Sequence, residues 1–154
     1  MGGGHGPGPI PPRWLNCPRK SASLIGDRFS ISFHEKSAWP SIWFRFLAFK
    51  TPLDDKYNDQ IAVENRFTPQ MLFNSMKAYK VKIGLWIDLT NTSRFYSKAI
   101  VEENECKYVK LSCRGHGETP SPDTIKTFVN LCQNYVQKHP LDIIAVHCTH
   151  GFNR

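Results

Sequence analysis

Residues Leu141-Asp142-Ile143-Ile144-Ala145-Val146 follow Pro140 and form a short apolar, β-branched run. Such a run reads as a buried strand. It passes directly into His147-Cys148-Thr149-His150-Gly151-Phe152-Asn153-Arg154. A strand that feeds an anion-binding loop belongs at the carboxyl end of an α/β sheet. The rest of the chain agrees with that setting. Thr68-Pro69 opens a helix, with Thr as N-cap and Pro at the first position. Met71, Leu72, Ser75, Met76 and Tyr79 are expected to form its core face. Ile83 to Leu89 reads as a central strand, ended by Thr90-Asn91-Thr92, and residues 107–112 alternate as another strand. Ser121-Pro122 opens a second helix, in which Ile125, Phe128, Val129, Cys132, Tyr135 and Val136 recur at helical spacing. Strands alternating with helices predict an α/β fold, a mostly parallel sheet with flanking helices.

The octapeptide has the H-C-x-x-G-x-x-R spacing of a cysteine phosphatase site. A thiolate is the nucleophile, and a free cysteine is mostly protonated at neutral pH, with a pKa near ~8.5. A loop whose backbone N–H groups point inward favours the anionic sulfur. The five residues between Cys148 and Arg154 allow the chain to curl around one tetrahedral anion. The amides of Thr149, His150, Gly151, Phe152, Asn153 and Arg154 would then donate to phosphate oxygens. Gly151 permits positive φ at the turn. Arg154 supplies a planar fork for two oxygens, which Lys could not copy. His147 is expected to orient the loop through hydrogen bonds. The alternative for Cys148 is an inert buried cysteine at a strand end.

Three further readings concern neighbouring segments. Asp88, at a strand end, either faces the site or caps the following turn. Arg94 either contacts RNA phosphates or forms a surface salt bridge. Upstream of the cysteine, Cys113-Arg114-Gly115-His116-Gly117-Glu118-Thr119-Pro120 contains no Asp. An alkoxide or phenoxide leaving group needs a proton in the transition state, whereas a terminal diphosphate is a far weaker base. Lack of the acid therefore favours phosphoanhydride substrates. His116 and Glu118 are the remaining candidate donors, against a structural role in that loop.

The chain has 154 residues and a net charge of +7, which is one domain by length and favours an anionic partner such as RNA. No base-reading motif is visible, so contact with RNA is expected at phosphates. The cysteines are Cys17, Cys106, Cys113, Cys132 and Cys148, an odd number without a C-x-x-C pair. They fit a reducing compartment, and no zinc or other metal site and no cofactor are expected. No signal peptide or transmembrane stretch is present, so no membrane partner is expected. Gly6 stands where a myristoylation signal requires Ser or Thr. Residues 1–12 are Gly- and Pro-rich and are expected to be disordered, with order beginning around Trp14. Residues 30–46 carry Trp39, Trp43, Phe44 and Phe46 without a clean period. They read as an aromatic surface loop or as an insertion, because joining Phe29 to Leu47-Ala48-Phe49-Lys50 leaves an uninterrupted strand-like run.

Pro11-Pro12-Arg13-Trp14-Leu15-Asn16-Cys17-Pro18, Asp88-Leu89-Thr90-Asn91-Thr92-Ser93-Arg94-Phe95-Tyr96, Gly115-His116-Gly117-Glu118 and the octapeptide together resemble the RNA 5′-triphosphatase domain of the metazoan mRNA capping enzyme family. The resemblance covers nearly everything from Ile10 onward except residues 30–46, and RNA-directed dual-specificity phosphatases are the nearest competitor. It implies a cysteine phosphatase-like fold and removal of the γ-phosphate of 5′-triphosphate RNA without metal. Cys148 would be the nucleophile. It further implies nuclear localisation and the RNA polymerase II transcription machinery as a partner. The family pattern continues past the Arg with Thr-Gly and several helices that this sequence does not contain. On that ground residues 13–154 are expected to be a partial domain with its C-terminal helices missing, weak or inactive as a catalyst. The competing expectation is a non-catalytic fragment that binds RNA.

Overall fold

The computed structural model describes residues 45–115 and 117–149, together with Gly6 and Ile10. The readings of the remaining tail, of Trp14 and Cys17, of residues 30–44, of His116 and of His150, Gly151, Phe152, Asn153 and Arg154 lie outside the described residues.

Four strands form one sheet in the order β1-β4-β2-β3, and every pairing is parallel. In chain order they are β1 (Phe46–Lys50), β2 (Ile83–Asp88), β3 (Lys107–Lys110) and β4 (Ile143–Cys148). Helix α1 (Pro69–Ala78) lies between β1 and β2, α2 (Lys98–Glu103) between β2 and β3, and α3 (Pro122–Lys138) between β3 and β4. Two short 3-10 turns, Asp55–Gln60 and Val63–Asn65, connect β1 to α1. The α/β parallel sheet expected from the sequence is therefore present. Phe46 pairs with Ile144 as the first residue of β1, so the last residue of the aromatic 30–46 segment belongs to the sheet.

Helices α1 and α2 cover one face. There Leu47, Phe49, Ile83, Trp86 and Ala145 pack against Leu72, Phe73, Met76 and Val101. Helix α3 covers the other, over Leu85, Ile87, Ile144 and Cys148. Strand residues alternate between faces, yet Ile83 and Leu85 lie on opposite ones. The cause is a bulge at Gly84, where the β2–β4 register shifts. A Cβ on Gly84 would collide with the Tyr135 hydroxyl and the Asp142 carboxylate, which explains the glycine.

The helix starts follow the sequence. The Thr68 side chain accepts from the Met71 amide, and the Ser121 side chain from the Thr124 amide at 3.2 Å. Three boundaries or faces differ. Helix α1 buries Pro69, Leu72, Phe73 and Met76, whereas Met71 and Tyr79 are exposed and Ser75 bonds back to the Met71 carbonyl. The i, i+3, i+4, i+7 stripe is turned so that Phe73 stacks on Trp86, with ring centroids 5.4 Å apart. Strand β3 ends at Lys110 rather than residue 112. Strand β4 begins at Ile143, not Leu141, because the Asp142 amide closes a turn onto His139 and Leu141 is exposed. In exchange β4 runs on through His147 and Cys148.

Candidate active site at the carboxyl end of the sheet

Cys148 is the last residue of β4. That puts it in the centre of the sheet, at the edge where open parallel sheets bind ligands. Alternation sends His147 and Cys148 to opposite faces. Cys148 is buried with Leu85, Ile87, Leu89, Cys113, Cys132 and Ile144 on the α3 side.

His147 is 1% exposed. Its ring sits among Phe49, Tyr96 and Trp86, at centroid distances of 5.0, 5.5 and 5.9 Å. Nε2 meets the Tyr96 hydroxyl, and Nδ1 lies 3.3 Å from Thr51 Oγ1. Burial pushes the imidazole down to about 4, against the opposing pull of Asp88. His147 is therefore neutral at pH 7 and carries one ring proton. Proton counting orders the chain. Trp86 Nε1 donates to Tyr96 Oη at 2.9 Å, and the single Tyr96 proton faces both His147 Nε2 and Asp88 Oδ2, the latter at 3.3 Å. Nδ1–H then donates to Thr51 Oγ1, whose own proton goes to the Cys148 carbonyl at 3.1 Å. The Thr51 amide reaches the Thr149 carbonyl at 3.4 Å. Two peptide groups at the start of the octapeptide's loop are thus tied to the end of β1, both by Thr51, whose hydroxyl also meets His147.

Asp88 is buried below this chain. Thr90 donates to Oδ1 through its amide at 2.9 Å and its hydroxyl at 2.6 Å. Tyr108 and Lys110 donate to Oδ2 at 2.6 and 3.0 Å. Burial opposes the charge, but His147, Thr90, Tyr108 and Lys110 outweigh it and hold the carboxyl below its ordinary value. The His147 ring is 3.5 Å away, yet because it is neutral at pH 7 this is no ion pair there. The hydrogen bonds and Lys110 hold the charge. Asp88 thus caps the turn after β2 and also lies against His147. Burial and the nearby Asp88 charge push the Tyr96 phenol up, so it remains a donor.

The structure brings Asp88, His147, Cys148 and Thr149 together. Arg94 lies on the loop after β2. It is exposed, with its guanidinium 4.8 Å from the Phe95 ring centre. Glu118 is exposed on the segment before α3 and makes no hydrogen bond or ion pair among the described residues. Sequence reasoning missed Thr51, Tyr96, Tyr108 and Lys110. Tyr108 and Lys110 could have been found as i, i+2 polar residues on one strand face. Thr51 carries no such signal.

No protein-family model matches the chain. It is 47% identical over 144 residues to the mRNA-capping enzyme of Danio rerio, covering 94% of this chain and 21% of that protein. The Mus musculus mRNA-capping enzyme matches at 47% over 145 residues, again 94% and 21%. A Caenorhabditis elegans RNA/RNP complex-1-interacting phosphatase homolog is 40% identical over 114 residues, 71% of this chain and 49% of that protein. Among solved structures, a Leishmania major protein assigned as a protein tyrosine phosphatase aligns with a TM-score of 0.45 and 14% identity, over 67% of this chain and 56% of that one. That likeness is too loose to argue from. The parallel sheet with helices on both faces defines the class, an α/β domain. Within it, the chain is a homologue of the mRNA-capping enzyme over nearly all of its own length. It spans about a fifth of the length of those relatives.

Proposed function

We propose that this chain is an RNA 5′-triphosphatase domain, acting on the 5′ end of nascent RNA as the first step of capping. Cys148 Sγ attacks the γ-phosphorus, an S–P bond forms, and the bond to the bridging oxygen breaks. The RNA leaves with a 5′-diphosphate. Water then hydrolyses the phosphocysteine, which releases inorganic phosphate and restores Cys148. Arg154 and the amides from Thr149 to Arg154 are the groups assigned to the transferred phosphoryl. The diphosphate leaves without a proton donor, which suits a segment that has no Asp before the cysteine. In this reading His147 is a positioning residue, because its bonds run to Tyr96 and Thr51 and reach the loop only through the Cys148 carbonyl. Asp88 holds the turn after β2 beside it. A nuclear location and contact with the transcription machinery follow from the same reading.

The observation that carries this reading is Cys148 at the carboxyl end of a central parallel strand, within a sequence 47% identical to capping enzymes. The test is release of γ-phosphate from 5′-triphosphate RNA in chelator, with Cys148→Ser alongside. Release that falls by roughly a thousandfold or more in the variant is expected. Release that survives the substitution, or none from the unaltered chain, would overturn it.

A further inference from the structure

Three cations lie near the carboxyl ends of β2 and β3, and the structure separates them. Lys110 Nζ donates to Asp88, to Thr90 Oγ1 and to the Thr92 carbonyl. All three ammonium protons are used, so Lys110 holds the turn after β2 and is not available to a ligand. Arg94 and Arg114 are different. Both are exposed, and among the described residues neither forms an ion pair.

Each nevertheless stands on fixed backbone. The Arg94 carbonyl accepts from the Tyr57 hydroxyl at 3.2 Å, and its amide donates to Thr92 Oγ1 at 3.3 Å. The next two residues, Phe95 and Tyr96, are buried on the α1/α2 face, and the guanidinium is restrained over the Phe95 ring. Arg114 follows Cys113, which is buried on the α3 face. The two loops are linked to the end of β4 by backbone bonds. The Cys113 amide donates to the Leu89 carbonyl at 3.1 Å, and the Leu89 amide to the His147 carbonyl at 2.9 Å. Two exposed arginines therefore stand on the loops that follow β2 and β3, at the same carboxyl edge of the parallel sheet as Cys148. Their side chains are not neutralised by carboxylates, and their backbones are anchored.

We propose that Arg94 and Arg114 bind the backbone phosphates of the nucleotides behind the reacting triphosphate, so that the site takes an RNA 5′ end in preference to a free nucleoside triphosphate. This deepens the triphosphatase reading and rests on it for the position of the 5′ end. Contacts of this kind read charge and not sequence, which fits a site for RNA ends of any sequence.

The test is binding to the full chain carrying Cys148→Ser, so that no turnover interferes. Anisotropy of a labelled 5′-triphosphate RNA octamer is measured over a salt series, with GTP as competitor. Arg94→Gln and Arg114→Gln are each expected to weaken RNA binding about fivefold to tenfold. Each should also lower the slope of log K against log salt by about 0.7. Competition by GTP is expected to be unchanged. Arg94→Lys should restore the slope but not the full affinity, since the stacked plane is lost. Undetectable RNA binding at low salt, unchanged affinity in both Gln variants, or an equal loss for GTP would overturn the proposal. Phosphate release is measured separately on chains that keep Cys148. An RNA-binding chain that needs both arginines yet releases no phosphate would leave this inference standing and remove the triphosphatase reading.

Discussion

On the α1/α2 face of the sheet, Phe49, Trp86 and Tyr96 close around His147, with Phe73 stacked on Trp86 behind them, and leave it 1% exposed. On the α3 face, the core around Cys148 is thinner. Of α3 only Cys132 is fully buried, while Ile125 and Val129 are 50% and 41% exposed. Adjacent residues of one strand thus sit in unlike surroundings. The dense face fixes the backbone on which the cysteine stands, and the lighter face holds the cysteine itself.

The largest test of that contrast is Trp86→Ala. Trp86 touches Phe49, Phe73, Tyr96 and the His147 ring and donates the hydrogen bond that orients Tyr96. A loss of about 3–5 kcal/mol in urea unfolding is expected. A loss below about 1 kcal/mol would mean that the aromatic face is not the stabilising one.

Acid sharpens the comparison next. The folded His147 protonates at about 4, below its ordinary 6.5. Above pH 6.5 neither the folded nor the unfolded imidazole is charged, and the group adds no pH dependence. As pH falls from 6.5 toward 4 the unfolded chain takes up the proton first, so stability drops by about 3 kcal/mol across that window. Asp88, held below its ordinary 3.8, adds a further loss at still lower pH, as its folded form protonates. Denaturant midpoints measured from pH 7 to pH 4 check this, and His147→Gln should flatten the first step. A profile that is flat between pH 6.5 and 4 in the unaltered chain would show that the imidazole is not buried neutral.

The smallest effect is expected on the α3 face. Val129→Ser exchanges a half-exposed residue for one of similar helix propensity, and a change below about 1 kcal/mol is predicted. Thermal unfolding decides it. A loss as large as that of Trp86→Ala would erase the distinction between the faces.

Much of the fold was legible because its signals are local. Thr68-Pro69 and Ser121-Pro122 place helix starts through bonds that span three residues, and the apolar run before His147 declares a buried strand wherever it lies. The octapeptide on which the proposed phosphate chemistry rests is legible for the same reason, since its residues are consecutive. The turned face of α1 was not legible. A helix with apolar residues at 71, 72, 73, 76 and 79 offers two stripes, and only contact with Trp86 selects one.

The network at the site was out of reach on the same ground. Thr51 and His147 are 96 residues apart, and Tyr96 and His147 are 51 apart. They meet because β4 enters the sheet between β1 and β2. The sequence by itself determined which segments become strands and helices, because propensity and capping depend on chain neighbours. Strand order decided which neighbours His147 and Asp88 would have. It thereby decided that the imidazole is neutral and the carboxyl charged, because burial and partner groups are set by packing between distant segments.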